Sequence, residues 1–272
     1  MRGREVRQAL HAGRLVYSTA VTAPSSRFPE MLRKAGVDFV FIDTEHTPLG
    51  RETLSWMCQA FAGLGIPPVV RVPSPDPFEA TKVLDGGAGG VIGPYVETAD
   101  QARALAGAAR WRPLKGRRLQ EALRDPGTLQ AELRSYLEAR NEDTILILNI
   151  ESVPAIENLD NILSVPGIDS VLIGTHDLSC SLGIPEQYRH PRFDEAVRTI
   201  FKKARAHNVG AGIHFWEGTE QEITWSRAGA NLIMHSSDLS FIGQQLQRDL
   251  HELRAALGDT RKPAGGPGDE IV

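Results

Sequence analysis

Short apolar, β-branched runs alternate with amphipathic stretches along almost the whole chain. Runs at 15–20, 37–43, 68–72, 89–96, 144–151, 170–175, 209–215 and 232–236 have the length and composition of strands. Between them, apolar residues recurring at helical spacing predict helices over 52–63, 77–84, 99–109, 129–139, 194–207 and 219–228. Strand-then-helix alternation repeated eight times predicts an α/β fold, a parallel (β/α)8 TIM barrel, as a single domain over 1–257. An open doubly wound sheet is the rival architecture, but no glycine-rich dinucleotide fingerprint follows any of the strands. The glycine-rich run 86–90 precedes a strand, which suits tight packing at the bottom of a barrel rather than a phosphate-cradling loop.

Two stretches break the alternation. Residues 111–127 form a basic insertion carrying Lys115, Arg117, Arg118 and Arg124, and residues 258–272 are rich in Gly and Pro and predict a disordered tail. No internal repeat and no linker divides the chain.

Composition narrows the function classes. At 272 residues, with 41% hydrophobic and 24% charged content, the chain can bury a substantial core. A net charge of −4 gives no electrostatic case for nucleic acid or an anionic membrane as partner. No apolar run approaches the roughly 20 residues of a membrane helix, and the basic start Met1-Arg2-Gly3-Arg4-Glu5 has no apolar segment behind it. Cys58 and Cys180 lack zinc-site spacing; two unpaired cytosolic thiols are expected, with a disulfide as the alternative, and the compartment expected is the cytoplasm.

The candidate chemistry lies where the strands end, the rim on which barrel enzymes build their sites. Strand two runs from Val37 through Phe41-Ile42 directly into Asp43, Glu45 and His46; strand three ends in Arg71. Strand five ends in Glu151, strand six in Asp177, and strands seven and eight offer His214 and His235. Carboxylates at two adjacent strand ends are what an oxygen-preferring divalent cation needs, with Mg²⁺ or Mn²⁺ favoured and Co²⁺ a third option. For Glu151 and Asp177 the competing roles are turn residue and helix cap. Arg71 suits an anionic oxygen such as an enolate, or an internal ion pair with Asp43 or Glu45. His46 has a side chain suited to proton transfer near neutral pH.

These motifs in this order resemble the HpcH/HpaI aldolase family of metal-dependent 2-keto acid aldolases, within the pyruvate/phosphoenolpyruvate barrel superfamily. The matching stretches are Phe41-Ile42-Asp43-Thr44-Glu45-His46-Thr47-Pro48, Pro68-Val69-Val70-Arg71-Val72, Asn149-Ile150-Glu151-Ser152 and Leu172-Ile173-Gly174-Thr175-His176-Asp177-Leu178-Ser179. The resemblance implies that Glu151 and Asp177 hold the metal and Arg71 stabilises the enolate. It implies that His46 moves the proton of the 4-hydroxyl, supported by Asp43 and Glu45. The N–H groups around Gly174, Thr175 and His176 would then receive the substrate carboxylate. It also implies a homo-oligomer, a hexamer or another multiple of a dimer, with a C-terminal helix exchanged between subunits. The chain departs from the family's common Gly-Pro-Ala-Asp at Gly174-Thr175-His176-Asp177 and from its Gly-x-Arg-Gly segment at Lys115-Gly116-Arg117-Arg118. His214 and His235 replace apolar residues. Arg117, His214 and His235 are therefore the candidates for the acceptor side.

The function expected is a divalent-metal carbon–carbon lyase, an aldolase acting on 4-hydroxy-2-oxo acids through a pyruvate enolate, with a 2-keto acid and an aldehyde as small-molecule substrates. The alternatives are an oxaloacetate-using decarboxylase or citrate-synthase-like condensing enzyme, in which the basic segment grips an extra carboxylate, and a non-catalytic keto-acid-binding protein.

Overall fold

The computed structural model describes residues 1–261; the tail expected over 258–272 lies outside them from residue 262 onward. Eight parallel strands close a barrel in sequence order. They are β1 Val16–Val21, β2 Phe39–Asp43, β3 Pro68–Arg71, β4 Gly90–Gly93, β5 Ile145–Asn149, β6 Ser170–Gly174, β7 Gly210–Phe215 and β8 Leu232–Ser237. This is the TIM-barrel fold predicted from the alternation, and every predicted strand is present with ends shifted by a few residues.

Both faces of the strands are buried apart from the exposed Tyr17 near the start of β1, which explains why the strands read as nearly unbroken apolar runs. Facing inward, Phe39, Phe41, Val69, Ile92, Ile147, Leu172 and Met234 fill the barrel interior. Their sequence neighbours Val40, Ile42, Val70, Val91, Leu148, Val171 and Ile233 face outward against the helices. Each fully buried side chain of this size contributes about 1.5–3 kcal/mol relative to exposure. The glycine run does serve close packing: a Cβ on Gly90 would lie 2.7 Å from Ile145 of the neighbouring strand.

The helix Gly3–His11, not predicted from the sequence, plugs the bottom of the barrel with Val6, Ala9 and Leu10. It is held by the fully buried Asp169, which accepts from Arg7 Nε at 2.9 Å, from the Leu146 N–H at 2.8 Å, and from Arg110. His11 Nε2 lies 3.0 Å from the same carboxylate. Three cations outweigh the cost of burying Asp169 and draw its carboxyl down to about 2.

The basic insertion is not a solvated loop. Residues Gly116–Arg124 form a helix, followed by a turn of 3₁₀ helix at Pro126–Thr128. Leu119 and Leu123 pack on Gly107 in the last turn of the helix Ala99–Arg110. Ala122 joins Leu129 and Leu137 in a small apolar cluster. Three apolar positions among arginines gave too weak a periodicity to reveal this helix.

At the other end of the chain, the helix Asp238–Leu257 leaves β8 with Leu239, Ile242, Leu246, Leu250, Leu253 and Leu257 exposed. Among the described residues no helix is long and apolar enough to cross a membrane.

Candidate active site

The C-terminal ends of the strands bring most of the sequence-predicted residues to one mouth. Asp43 is the last residue of β2 and Arg71 the last of β3, and the two are paired in the sheet register. Their side chains meet in a two-pronged ion pair, Arg71 Nε to Asp43 Oδ1 at 2.9 Å and Nη2 to Oδ2 at 2.8 Å. Glu45 Oε2 lies 3.2 Å from Arg71 Nε, and the guanidinium stands 5.3 Å from the centre of the Phe41 ring. Burial pushes the Asp43 carboxyl up, but hydrogen bonds and charge from Arg71 outweigh it and leave it below its usual range. Arg71 is correspondingly held more firmly protonated. Burial raises Glu45, with Arg71 and His46 opposing only in part.

The Asp43 carboxylate also fixes the turn that follows, accepting from the Glu45 N–H at 3.0 Å. Thr44 donates its hydroxyl to the Arg71 carbonyl at 2.6 Å. His46 emerges from this turn half-exposed, its Nε2 3.8 Å from Glu45 Oε2.

On the facing side, β5 ends at Asn149 and Glu151 lies just beyond it, 2% exposed. The Tyr95 N–H donates to Glu151 Oε1 at 2.8 Å and Asn149 Nδ2 to Oε2 at 3.0 Å. A Cβ on Gly174 would come within 2.0 Å of Glu151 Oε2, so only glycine leaves room for this carboxylate. Burial drives Glu151 up to about 7; the Tyr95 N–H opposes it, and the neighbouring charge of Asp177 adds to it.

Asp177 stands in the first turn of the helix Thr175–Ser181 with its charge felt by Glu45, Glu151 and Tyr95. The donor chemistry here fits a hard divalent cation. Two carboxylates face one mouth, one of them buried with its ionised form disfavoured, and the Oδ1 of the adjacent Asn149 is buried without a partner. Among the described residues no group of three or more His, Cys, Asp or Glu forms a complete ligand set. A cation at Glu151 and Asp177 would therefore keep positions for water and substrate oxygens.

The remaining candidates separate. Thr175 is buried and donates its hydroxyl to the His214 carbonyl at 3.2 Å. His214 points into the barrel mouth, 5.8 Å from Phe41 and 5.7 Å from Trp216 between ring centres. Its Nε2 lies 3.2 Å from the Ser236 carbonyl, which can only accept, so Nε2 carries the proton. Burial depresses its pKa to about 4, keeping the ring neutral.

Three side chains are not brought to the mouth. His176 stands on the exposed side of its helix, its side chain 55% exposed, beside Glu186 and Cys180. His235 faces outward because β8 alternates, placing Met234 inside. It pairs instead with Glu222 at 2.9 Å, which raises its pKa, and packs on Phe241. Arg117 is exposed and pairs with Glu121 at 3.4 Å. Its helix packs on the end of Ala99–Arg110, where Arg110 reaches the carbonyls of Thr144 and Gly167 just ahead of β5 and β6. That is the opposite end of its own barrel.

Three contributors went unread in the sequence. Asn149 shares Glu151's face two residues earlier, a period-two signal that was available. Tyr95 acts through its backbone N–H, which no residue type announces. Asp238, buried at the head of the last helix, accepts from the Thr22 N–H and hydroxyl and the Ala23 N–H, closing the loop after β1.

A family model described as HpcH/HpaI aldolase/citrate lyase matches residues 22–242. The chain belongs to this family. Within the HpcH/HpaI family it is 32% identical over 262 residues to a 2-keto-3-deoxy-L-rhamnonate aldolase of Shigella sonnei, covering 94% of this chain and 95% of the relative. It is also 32% identical over 234 residues to a hydroxypyruvate/pyruvate aldolase of Sagittula stellata, covering 86% and 91%. An HpcH/HpaI family protein from Burkholderia cenocepacia superposes with a TM-score of 0.77 at 27% identity, over 92% of this chain and 99% of that one. The chain is an enzyme of the aldolase type, a lyase, in a family for which divalent-metal dependence is typical.

Proposed function

We propose that the protein cleaves or forms the carbon–carbon bond of 4-hydroxy-2-oxo acids through the enolate of a pyruvate-type keto acid, within the single barrel spanning 1–257. The observation that carries this reading is the juxtaposition of Glu151 and Asp177 with the Arg71–Asp43 pair across one mouth. Relatives named for 2-keto acid and pyruvate aldolase activities point to the same substrate class.

Glu151 and Asp177 would hold Mg²⁺ or Mn²⁺, with Co²⁺ as a third candidate, and the cation supplies Lewis-acid polarisation of the keto group. Arg71 has Nε and Nη2 engaged by Asp43, which leaves its Nη1 donors for the keto oxygen as negative charge grows there. The two-pronged pair holds that donor in place before substrate arrives. His46 takes the 4-hydroxyl proton in cleavage and returns it in synthesis, with Glu45 oriented beside it. The backbone N–H groups at 174–176 receive the substrate carboxylate. His214, neutral, lines the acceptor side.

The exposed apolar stripe of Asp238–Leu257 supports a homo-oligomer, a hexamer or another multiple of a dimer, in which this helix packs on or exchanges with a second subunit. With Cys58 and Cys180 both free, a reducing compartment such as the cytoplasm suits the chain.

The test is a panel of 4-hydroxy-2-oxo acids incubated with metal-loaded protein and followed by pyruvate release. Metal-dependent release from at least one member is expected, with Asp177→Asn reducing it more than about a hundredfold. A panel on which wild type and Asp177→Asn behave alike would overturn the assignment.

A further inference from the structure

The helix Asp238–Leu257 is anchored to its own barrel at one end. Of its 20 residues only Asp238 is buried. A helix of this length runs about 30 Å, so a tilt of about 10° at its root carries its tip about 5 Å. The contacts at the root therefore decide where the exposed leucine stripe lies. Two anchors stand there. Asp238 accepts from the Thr22 and Ala23 N–H groups. His235, near the end of β8, is held between two helices. Its Nδ1 lies 2.9 Å from Glu222 Oε2 and 3.1 Å from Oε1, and its ring centre stands 5.3 Å from that of Phe241. Glu222 and Trp225 share one face of the helix Thr219–Arg227. Trp225 packs on Phe215, and Glu222 meets His235, the partner of Phe215 in the sheet register. Between the two anchors Ser236 takes a left-handed backbone, φ 52°, a conformation that persists only where its surroundings impose it.

His235 is the cation that the buried Glu222 carboxylate faces; their side chains are 35% and 5% exposed. The hydrogen bond to Glu222 raises the imidazole pKa against the effect of burial. The other ionisable groups on the surrounding elements are Glu217, Glu220 and Arg227 beside and on Glu222's helix, Asp238, Tyr17 on β1 and His214 on β7. None of these six shifts His235, whereas His214, on the mouth side, is lowered by its charge. The ion pair is complete below the unfolded value of 6.5 and is lost as pH rises through the higher folded one. Loss of that proton leaves Glu222 buried without a counter-charge and removes the cation–π part of the contact with Phe241. Both effects fall on the root of the last helix.

We propose that the His235–Glu222 pair is a pH-sensitive latch that fixes the angle of the helix Asp238–Leu257 on the barrel, tightening subunit association at mildly acidic pH and loosening it at alkaline pH. The inference rests on the homo-oligomer reading above. Its test is analytical ultracentrifugation of the full-length protein over a dilution series, at about pH 6 and about pH 8.5. Wild type is compared with His235→Leu and Glu222→Gln, which remove the pair from either side. The concentration at which half of the wild-type assembly dissociates should rise about tenfold between the two pH values, and less than about twofold in each variant. Hydrogen exchange at the amides of 239–243, corrected for the intrinsic rate, should lose protection over the same interval in wild type alone. A pH-independent wild-type assembly, or a rise of equal size in both variants, would overturn the latch while leaving the oligomer reading standing. Wild-type protein that is monomeric at every concentration and both pH values would overturn that reading and this inference together.

Discussion

Gly174 shows how one residue sets the position of a functional group it never bonds. Its missing Cβ leaves the space that Glu151 Oε2 occupies, and a methyl group there would sit 2.0 Å from that oxygen. Gly174→Ala must displace the carboxylate or the strand end. Displacements of this order cost about a hundredfold in rate. We expect kcat/KM for keto acid cleavage to fall by about that factor with an unchanged circular dichroism spectrum; near-wild-type activity would show that Glu151 does not need this position. Arg71 and Asp43 make the complementary point. The same bidentate pair that satisfies a structural role also pre-orients the donor, so the two readings of Arg71 open in the sequence describe one arrangement.

Among the elements, the N-terminal helix depends on charge buried far from the mouth. Replacing Asp169 by Asn leaves Arg7, Arg110 and His11 without their shared partner, and breaking a buried ion pair costs about 3–5 kcal/mol. Asp169→Asn should lower the urea midpoint accordingly. The pH dependence separates its partners. The Asp169 carboxyl is held at about 2, so its contribution is present above the unfolded value of 3.8 and lost as pH falls through about 2. His11 has both ring nitrogens against acceptors, Asn208 O at 2.7 Å and Asp169 Oδ1 at 3.0 Å, which requires the doubly protonated ring. The hydrogen bond to Asp169 raises its pKa against burial. Its contribution is therefore present below the unfolded value of 6.5 and lost as pH rises through the folded one. Thermal denaturation should show a larger gap between wild type and His11→Ala at about pH 5.5 than at about pH 8.5. A gap of equal size would remove the imidazolium from the account.

For the whole molecule, the barrel was legible because two-sided burial writes itself as apolar runs, and the mouth because those runs stop in ionisable residues at Asp43, Arg71 and Glu151. What stayed hidden depends on more than residue type. The direction of His235 follows from strand alternation near an irregular register of β8. The helix Gly116–Arg124 has only a narrow apolar face, and Tyr95 acts through a backbone dihedral. The stripe along Asp238–Leu257 recurs at three- and four-residue spacing, as in a helix that packs against another. Leu246→Glu combined with Leu253→Glu should lower the mass measured by light scattering after size exclusion; an unchanged mass would place the subunit interface elsewhere.

The central claim is that Glu151 and Asp177 hold a cation at which Arg71 stabilises a pyruvate enolate. Its most direct test needs no acceptor aldehyde: exchange of the pyruvate methyl protons in D₂O, followed by NMR. Wild-type protein with Mg²⁺ or Mn²⁺ should exchange them well above the rate of metal alone, and chelation or Glu151→Gln should return the rate to that background. Exchange that persists in Glu151→Gln, or that is indifferent to chelation, would contradict the account.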